Sequence, residues 1–230
     1  MSFHAYNLLK AADVIVGYKT YVKLIEGIVD PHQEIHMSGM KKEVDRSREA
    51  IEIALQGKKV AVISSGDPGV FGMAGIILEM VYHMGKEGEI EVEVVPGISA
   101  ANAAAASLGA PLMHDYVVLS LSDLLTPWEL IKKRAALAAQ GDFVIALYNP
   151  RSKGRVTQIE EVQEILLQYK SPKTPVGIVK NAKRGNEEII LATLDDFTQQ
   201  DIDMFSLVII GNSQTYIKDG RLITPRGYKI

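Results

Sequence analysis

Four segments place glycine or proline beside a small polar residue directly after an apolar, β-branched run. They are Ser64-Ser65-Gly66-Asp67-Pro68-Gly69, Val95-Pro96-Gly97-Ile98-Ser99-Ala100, Leu147-Tyr148-Asn149-Pro150 and Ile210-Gly211-Asn212-Ser213. In open α/β sheets ligands bind beyond the carboxyl ends of strands, so chemistry is expected at these places. Gly72 and Gly75 follow the first segment, giving a glycine at every third position. Such spacing lets the backbone turn sharply and approach a ligand closely at a helix N-terminus. It matches neither G-x-G-x-x-G nor a P-loop. Asp67 repels phosphate, whereas its carboxylate accepts hydrogen bonds from a ribose hydroxyl or an amine, which suits a phosphate-free nucleoside. A plain turn with an Asp capping the next helix has the same sequence, and both readings stand.

Ser99 follows Pro96-Gly97 either as a nucleophile or as the N-cap of the Ala-rich run behind it. No G-x-S-x-G elbow surrounds it, so the cap is the simpler role. His32 and His36 are spaced as metal ligands on one helix face would be, but Pro31 precedes them and residues 34–37 read as a strand. There they lie about 13 Å apart, too far for one ion, and no metal site is expected. Arg151, Lys153 and Arg155 follow one strand end; Lys180, Lys183 and Arg184 follow another in the same half. With 25 Lys+Arg against 28 Asp+Glu the net charge is −3, so cations gathered at strand ends point to a substrate bearing several carboxylates. Two solvated loops are the plainer alternative. Trp128 starts a helix, with Thr126 as cap and Pro127 at the first helical position.

Short β-branched runs at 13–18, 60–65 and 91–95 alternate with helical stretches within 41–56, 70–84 and 99–108. That alternation implies a mainly parallel sheet with helices on both faces. A Gly–Pro break at 109–115 precedes a second round: strands at 116–121, 143–148, 175–181, 187–192 and 207–211, and helices at 127–139 and 155–169. Residues 183–186 read as a hairpin connection, which makes this second sheet mixed. The expected organisation is two α/β domains, 1–112 and 113–230.

Composition narrows the function. The absence of cysteine removes disulfides, thiolate zinc sites, iron–sulfur clusters and cysteine nucleophiles. The mildly acidic balance gives no field for nucleic acid, no apolar run is long enough for a membrane span, and nothing resembles an export signal. A cytoplasmic protein with neither nucleic-acid nor membrane partners is expected.

Ser65-Gly66-Asp67-Pro68, Val95-Pro96-Gly97-Ile98-Ser99-Ala100 and the two-domain layout resemble the tetrapyrrole methylases, S-adenosylmethionine-dependent enzymes of cobalamin and sirohaem synthesis. Residues 13–21 (DVIVGYKTY), 120–128 (SLSDLLTPW) and 147–152 (LYNPRS) look specifically like the branch that methylates carbon 17 of precorrin-3B or cobalt-factor III. The likeness implies a homodimer with S-adenosyl-L-methionine in the cleft between the domains. Carried over by motif, cofactor contacts come from Ser65, Gly66, Asp67, Val70, Ser99, Ala100, Tyr148, Asn149 and Ala182. Arg151, Lys153, Arg155, Lys180 and Arg184 become candidates for the acetate and propionate groups of a tetrapyrrole. The family pattern opens with a strand and a Gly-x-Gly-Pro-Gly loop, whereas Met1–Ala5 already resembles the helix that follows. That first strand and loop are therefore expected to be missing, leaving a gap between neighbouring strands.

Methyl transfer from a sulfonium needs in-line approach of a nucleophilic carbon, which an electron-rich tetrapyrrole supplies itself. Alignment and exclusion of water are what the protein must add. The ring contraction that the likeness implies calls for a general acid or base, and Tyr148, at a strand end, is the candidate. Rival readings are a tetrapyrrole methylase acting at another ring position and a non-catalytic protein that binds tetrapyrrole or cofactor.

Overall fold

Val14, Ile15 and Val16 are fully buried, as a strand with helices over both faces requires, and they form the centre of the first sheet. The computed structural model describes residues 1–229 and divides into two units, Met1–Ser99 and Ala100–Ile230. The first unit runs α1 (Phe3–Ala11), β1 (Val14–Tyr18), α2 (Lys19–Lys23), β2 (Glu34–Ser38), α3 (Glu43–Ala54), β3 (Val60–Ile63) and α4 (Ala74–His83). Its sheet has the order β2-β1-β3, all parallel, with Val16 opposite both His36 and Val62.

Alternate residues of β1 supply two cores. Val14 and Val16 pack with Ala50 and Ile51 of α3 and Ile77 and Val81 of α4. Ile15 faces Leu9 of α1 and Ile25. Gln33, buried behind α1, donates from Nε2 to the carbonyls of Leu9 and Ala12 at 2.8 and 2.7 Å. It thereby satisfies groups that a helix C-terminus leaves without partners.

One expected strand does not form. Residues 91–95 belong to no ladder, although their Glu-Val alternation suits one. The reason is the neighbourhood: among the described residues β3 pairs only with β1, so no strand lies beyond it to exchange hydrogen bonds with this segment. β3 is accordingly half-buried where β1 is buried, while Ile90 and Val92 still pack on the core of Val14 and Val16.

The second unit runs α5 (Ala100–Leu108), β4 (Gly109–Ala110), β5 (Tyr116–Ser120), α6 (Trp128–Gln140), β6 (Val144–Tyr148), α7 (Gln158–Leu167), β7 (Pro175–Lys180), β8 (Glu188–Thr193), β9 (Ser206–Ile210), β10 (Tyr216–Lys218) and β11 (Arg221–Ile223). A five-stranded sheet of order β5-β6-β9-β7-β8 pairs β5 and β6 in parallel and the others antiparallel, the mixed sheet read from the 183–186 hairpin. Period-two alternation divides its side chains between two faces. Ile145, Leu147, Val176, Ile178, Val208 and Ile210 pack under α6 and α7, whereas Val144, Ala146, Val179, Leu207 and Ile209 pack against α5. The small residues Ala101, Ala104 and Ala105 form the packed face of α5. β10, β11 and β4 make a small separate sheet.

The start of α6 differs by one residue from expectation. Pro127, not Thr126, is the N-cap, with ψ 134° and no side-chain cap bond; its carbonyl accepts from Leu130 and Ile131. The proline's fixed φ is compatible with either position, and here its ψ stays extended. At the opposite end of the sheet from Tyr148, Lys170 is almost wholly buried and donates to the carbonyls of Phe143 and Gly211 at 2.9 and 3.1 Å. Among the described residues no helix is long and apolar enough to cross a membrane, and no group of three His, Cys, Asp or Glu side chains is placed to hold a metal ion.

Candidate functional site

In the first unit, β3 delivers the chain to Ser64 and Ser65, and Gly66 then turns it with φ +77°, a region open to glycine at little cost. Asp67 follows and makes two bonds. Its Oδ1 accepts the Gly69 amide at 2.8 Å, closing an Asx turn, and its Oδ2 accepts the Gly97 amide at 2.9 Å from thirty residues further along. The two glycine loops press together: a Cβ on Gly97 would lie 2.0 Å from the Gly66 carbonyl oxygen. Ser64 Oγ accepts the Met73 amide at 3.0 Å and so fixes the approach to α4; the Val70 amide bonds the Asp67 carbonyl. Ser65, Asp67, Val70 and Ser99 are half-buried, and Gly66 is exposed. The turn and the charge that the sequence allowed at Asp67 therefore coexist in one side chain.

In the second unit, β6 ends at Tyr148, whose hydroxyl oxygen accepts the Ala101 amide at 2.9 Å and ties the strand to the first turn of α5. Tyr148, Ala100 and Ala182 each pack on the apolar cluster that includes Ala101, Ala104 and Ile209. Asn149 takes a left-handed φ of +49°; its Nδ2 donates to Ser120 Oγ at 3.0 Å, and its carbonyl accepts from Arg155 Nη2 at 2.8 Å. β5 and β6 are parallel neighbours, with Ser120 opposite Tyr148, which is why their loops meet at one end.

The five cations lie in different settings. Arg155 is buried; removal from water pushes its guanidinium below its usual range, and Asp123 only partly opposes this. Arg151 donates to Glu160 Oε1 and the Thr198 carbonyl, both at 3.2 Å. Lys153 is exposed and Arg184 half-buried, its amide bonding the Asn181 carbonyl. Lys180 is held by Asp201 and Asp203 at 2.8 and 3.0 Å, and the hydrogen bonds from these carboxylates raise its pKa well above the ordinary lysine value. His36, in β2, bonds Glu49 at 2.7 Å.

Sequence reasoning missed Gly97 as a partner of Asp67 and Ser120 as a partner of Asn149. A signal existed for both. Gly97 sits in a quoted strand-end segment, and the strand-end rule that selected 147–150 applies equally to Ser120 at the end of β5.

Residues 1–198 match the family model of tetrapyrrole (corrin/porphyrin) methylases. Cobalt-factor III methyltransferase of Priestia megaterium is 53% identical over 227 residues, 98% of this chain and 42% of that protein. A probable cobalt-factor III C(17)-methyltransferase of Salmonella typhimurium (strain LT2) is 49% identical over 230 residues, all of this chain and 94% of the relative. The chain thus spans less than half of the first relative and nearly all of the second. The crystal structure of the methyltransferase CobJ superimposes with a TM-score of 0.93 at 37% identity, covering 98% of this chain and 93% of that one. The chain belongs to the tetrapyrrole (corrin/porphyrin) methylases.

Proposed function

We propose that this protein methylates carbon 17 of cobalt-factor III or precorrin-3B, with ring contraction to the precorrin-4 level, in cobalamin biosynthesis. The observation that carries the reading is the 49% identity sustained over the whole chain with a relative named for that position. The segments 120–128 and 147–152, whose likeness to that branch is specific, are also the ones that build the β5 and β6 ends around Asn149.

The residues present suit the cofactor. The first-unit loop offers an aspartate whose negative charge is fixed by two backbone amides, together with exposed glycine backbone, a donor set that disfavours phosphate and favours a cationic, phosphate-free nucleoside. By the family motifs, Ser65, Gly66, Asp67, Val70, Ser99, Ala100, Tyr148, Asn149 and Ala182 are the residues that would hold it. When bound, S-adenosylmethionine supplies an electrophilic methyl group on a sulfonium. The chain's own share is to orient: Asp67 fixes both glycine loops, Arg155 and Ser120 fix Asn149, and Tyr148 is anchored at the start of α5. Tyr148 would exchange a proton with the substrate during contraction. Arg151, Lys153, Arg155, Lys180 and Arg184 would face the carboxylates of the macrocycle. The family likeness supports a homodimer, and the biosynthetic role supports a cytoplasmic location.

The test is incubation with cobalt-factor III and methyl-labelled S-adenosylmethionine, preceded by calorimetric titration with S-adenosylhomocysteine. One label placed on carbon 17 per turnover is expected. Label at another ring position would replace the assignment with a different methylase, and cofactor binding without transfer would make the chain a binding protein.

A further inference from the structure

The loop between β5 and α6 holds two leucines out in water. Leu125 is 99% exposed and Leu124 66%, beside the fully buried Leu121. The loop that carries them is framed by hydrogen bonds. Ser122 N donates to Ser120 Oγ at 3.2 Å, Gln158 Nε2 to Asp123 Oδ2 at 3.1 Å, and Trp128 Nε1 to Glu161 Oε2 at 2.8 Å. A frame of this kind keeps the leucines from folding back onto their own unit.

The Asp123–Gln158 bond joins this loop to the first residue of α7, and the segment just before it, after β6, holds a second anomaly. Arg155 is only 8% exposed, and among the described residues Asp123 influences its charge without coming within ion-pair distance. Its Nη2 bonds the Asn149 carbonyl, while its Nε is buried with no hydrogen-bond partner. Arg151 Nε and Gln158 Oε1, in the same loop region, are likewise buried and unpartnered. Buried charges are ordinarily paired, and an unmatched one is costly. Asp123 lies near enough to offset part of this cost but makes no ion pair with Arg155, so the charge is only partly matched, and next to it stands an apolar projection that lacks a cover. Val156, next to Arg155 in the chain, is 51% exposed.

We propose that Leu124, Leu125 and Arg155 form one subsite that takes an apolar ring edge on the leucines and a carboxylate arm on the buried guanidinium. This rests on the function proposed above and deepens it: the occupant is the carboxylated tetrapyrrole, and the leucines set which macrocycle is accepted. Lys180, already held by two aspartates, contributes less to carboxylate recognition than Arg155.

Trp128, the one tryptophan of the chain, begins α6 three residues after Leu125 and reports on the loop directly. The experiment titrates the parent, the Leu124→Ser/Leu125→Ser double variant and Arg155→Gln with cobalt-factor III, following quenching of Trp128 fluorescence. Each protein is also titrated calorimetrically with S-adenosylhomocysteine and weighed by light scattering. The exposed leucines make no core contact, so the double variant folds normally. It is expected to bind the tetrapyrrole about tenfold or more weaker, with unchanged S-adenosylhomocysteine affinity and unchanged molar mass. Arg155→Gln, which keeps a donor for Asn149, is expected to weaken tetrapyrrole binding by a clearly larger factor than S-adenosylhomocysteine binding. Unchanged tetrapyrrole affinity in the double variant overturns the proposal, as does a lower molar mass, which would make the leucines a contact between copies. If Arg155→Gln weakens both ligands equally, the arginine merely shapes the Asn149 loop and the anion role is lost. A parent protein that binds S-adenosylhomocysteine but no tetrapyrrole refutes the functional reading and this subsite with it.

Discussion

Replacing Gly97 by alanine tests whether the clamped glycine loops position the cofactor. The added Cβ would fall 2.0 Å from the Gly66 carbonyl oxygen, 3.0 Å from its carbon and 3.2 Å from Asp67 Cα. All three atoms are backbone, so no side chain can swing aside, and the loops must separate by about 1 Å to restore van der Waals contact. That movement stretches the 2.9 Å bond from the Gly97 amide to Asp67 Oδ2, a charge-assisted bond worth about 1.5–3 kcal/mol. Overpacking of this kind adds about 1–3 kcal/mol wherever the surroundings do not yield. The loss is divided between global stability and the geometry of the loop. If the geometry bears the hydrogen-bond share, S-adenosylhomocysteine affinity falls by about 10- to 100-fold. Urea denaturation and calorimetry on the same preparation separate the two. Stability and affinity both equal to the parent's would refute the claim that close contact between Gly66 and Gly97 shapes the site.

Three further outcomes are expected. Tyr148→Phe removes the hydroxyl that accepts the Ala101 amide, and ring contraction should fall more than cofactor affinity; turnover equal to the parent's in a coupled spectroscopic assay would take Tyr148 out of the mechanism. Lys170→Met leaves the Phe143 and Gly211 carbonyls without their donor, and urea unfolding should show a loss of about 1–3 kcal/mol. Burial pushes the Asp142 carboxyl up, but the Ser213 hydroxyl and amide and the Lys170 ammonium outweigh it and hold the group below its ordinary value. A depressed carboxyl stabilises the fold above that ordinary value and stops doing so as pH falls through the lowered one, so Asp142→Asn should flatten the loss of urea midpoint between about pH 5 and about pH 3.

Helices with a 3.6-residue pattern and strands apolar on both faces, such as Val14–Tyr18 and Val144–Tyr148, were legible because one element's own residues carry the signal. Residues 91–95 show the limit. Their alternation satisfies a local rule, but a strand exists only through the ladder it joins, and here β3 presents no further strand to complete it. The short β4, β10 and β11 were invisible for the same reason: two or three residues hold no period, and their pairing of Leu222 with Gly109 spans more than a hundred positions. At the site, the strand-end rule found Asp67, Tyr148 and Asn149 without any partner in view. It could not find that Arg155 is buried against the Asn149 carbonyl, because basic residues after a strand end look alike whether they point into solvent or turn back.

The two readings of Asp67, turn-former and ligand partner, are not rivals once its bonds are known. A carboxylate that accepts Gly69 on one oxygen and Gly97 on the other is fixed in position and direction, and each oxygen retains a lone pair beyond the amide it accepts. An asparagine in the same pose would turn its NH2 group toward one of the two amides, so the charge and the loop geometry depend on the same atoms. The negative charge is then placed beside exposed glycine backbone, and in the proposed site it would discriminate between ligands that a neutral glycine loop would treat alike. A phosphate is repelled, while a nucleoside bearing a sulfonium and an ammonium is attracted. The cofactor role proposed for Asp67 would therefore need no phosphate-binding fingerprint, since the carboxylate that closes the turn would itself favour a cationic nucleoside over a phosphate.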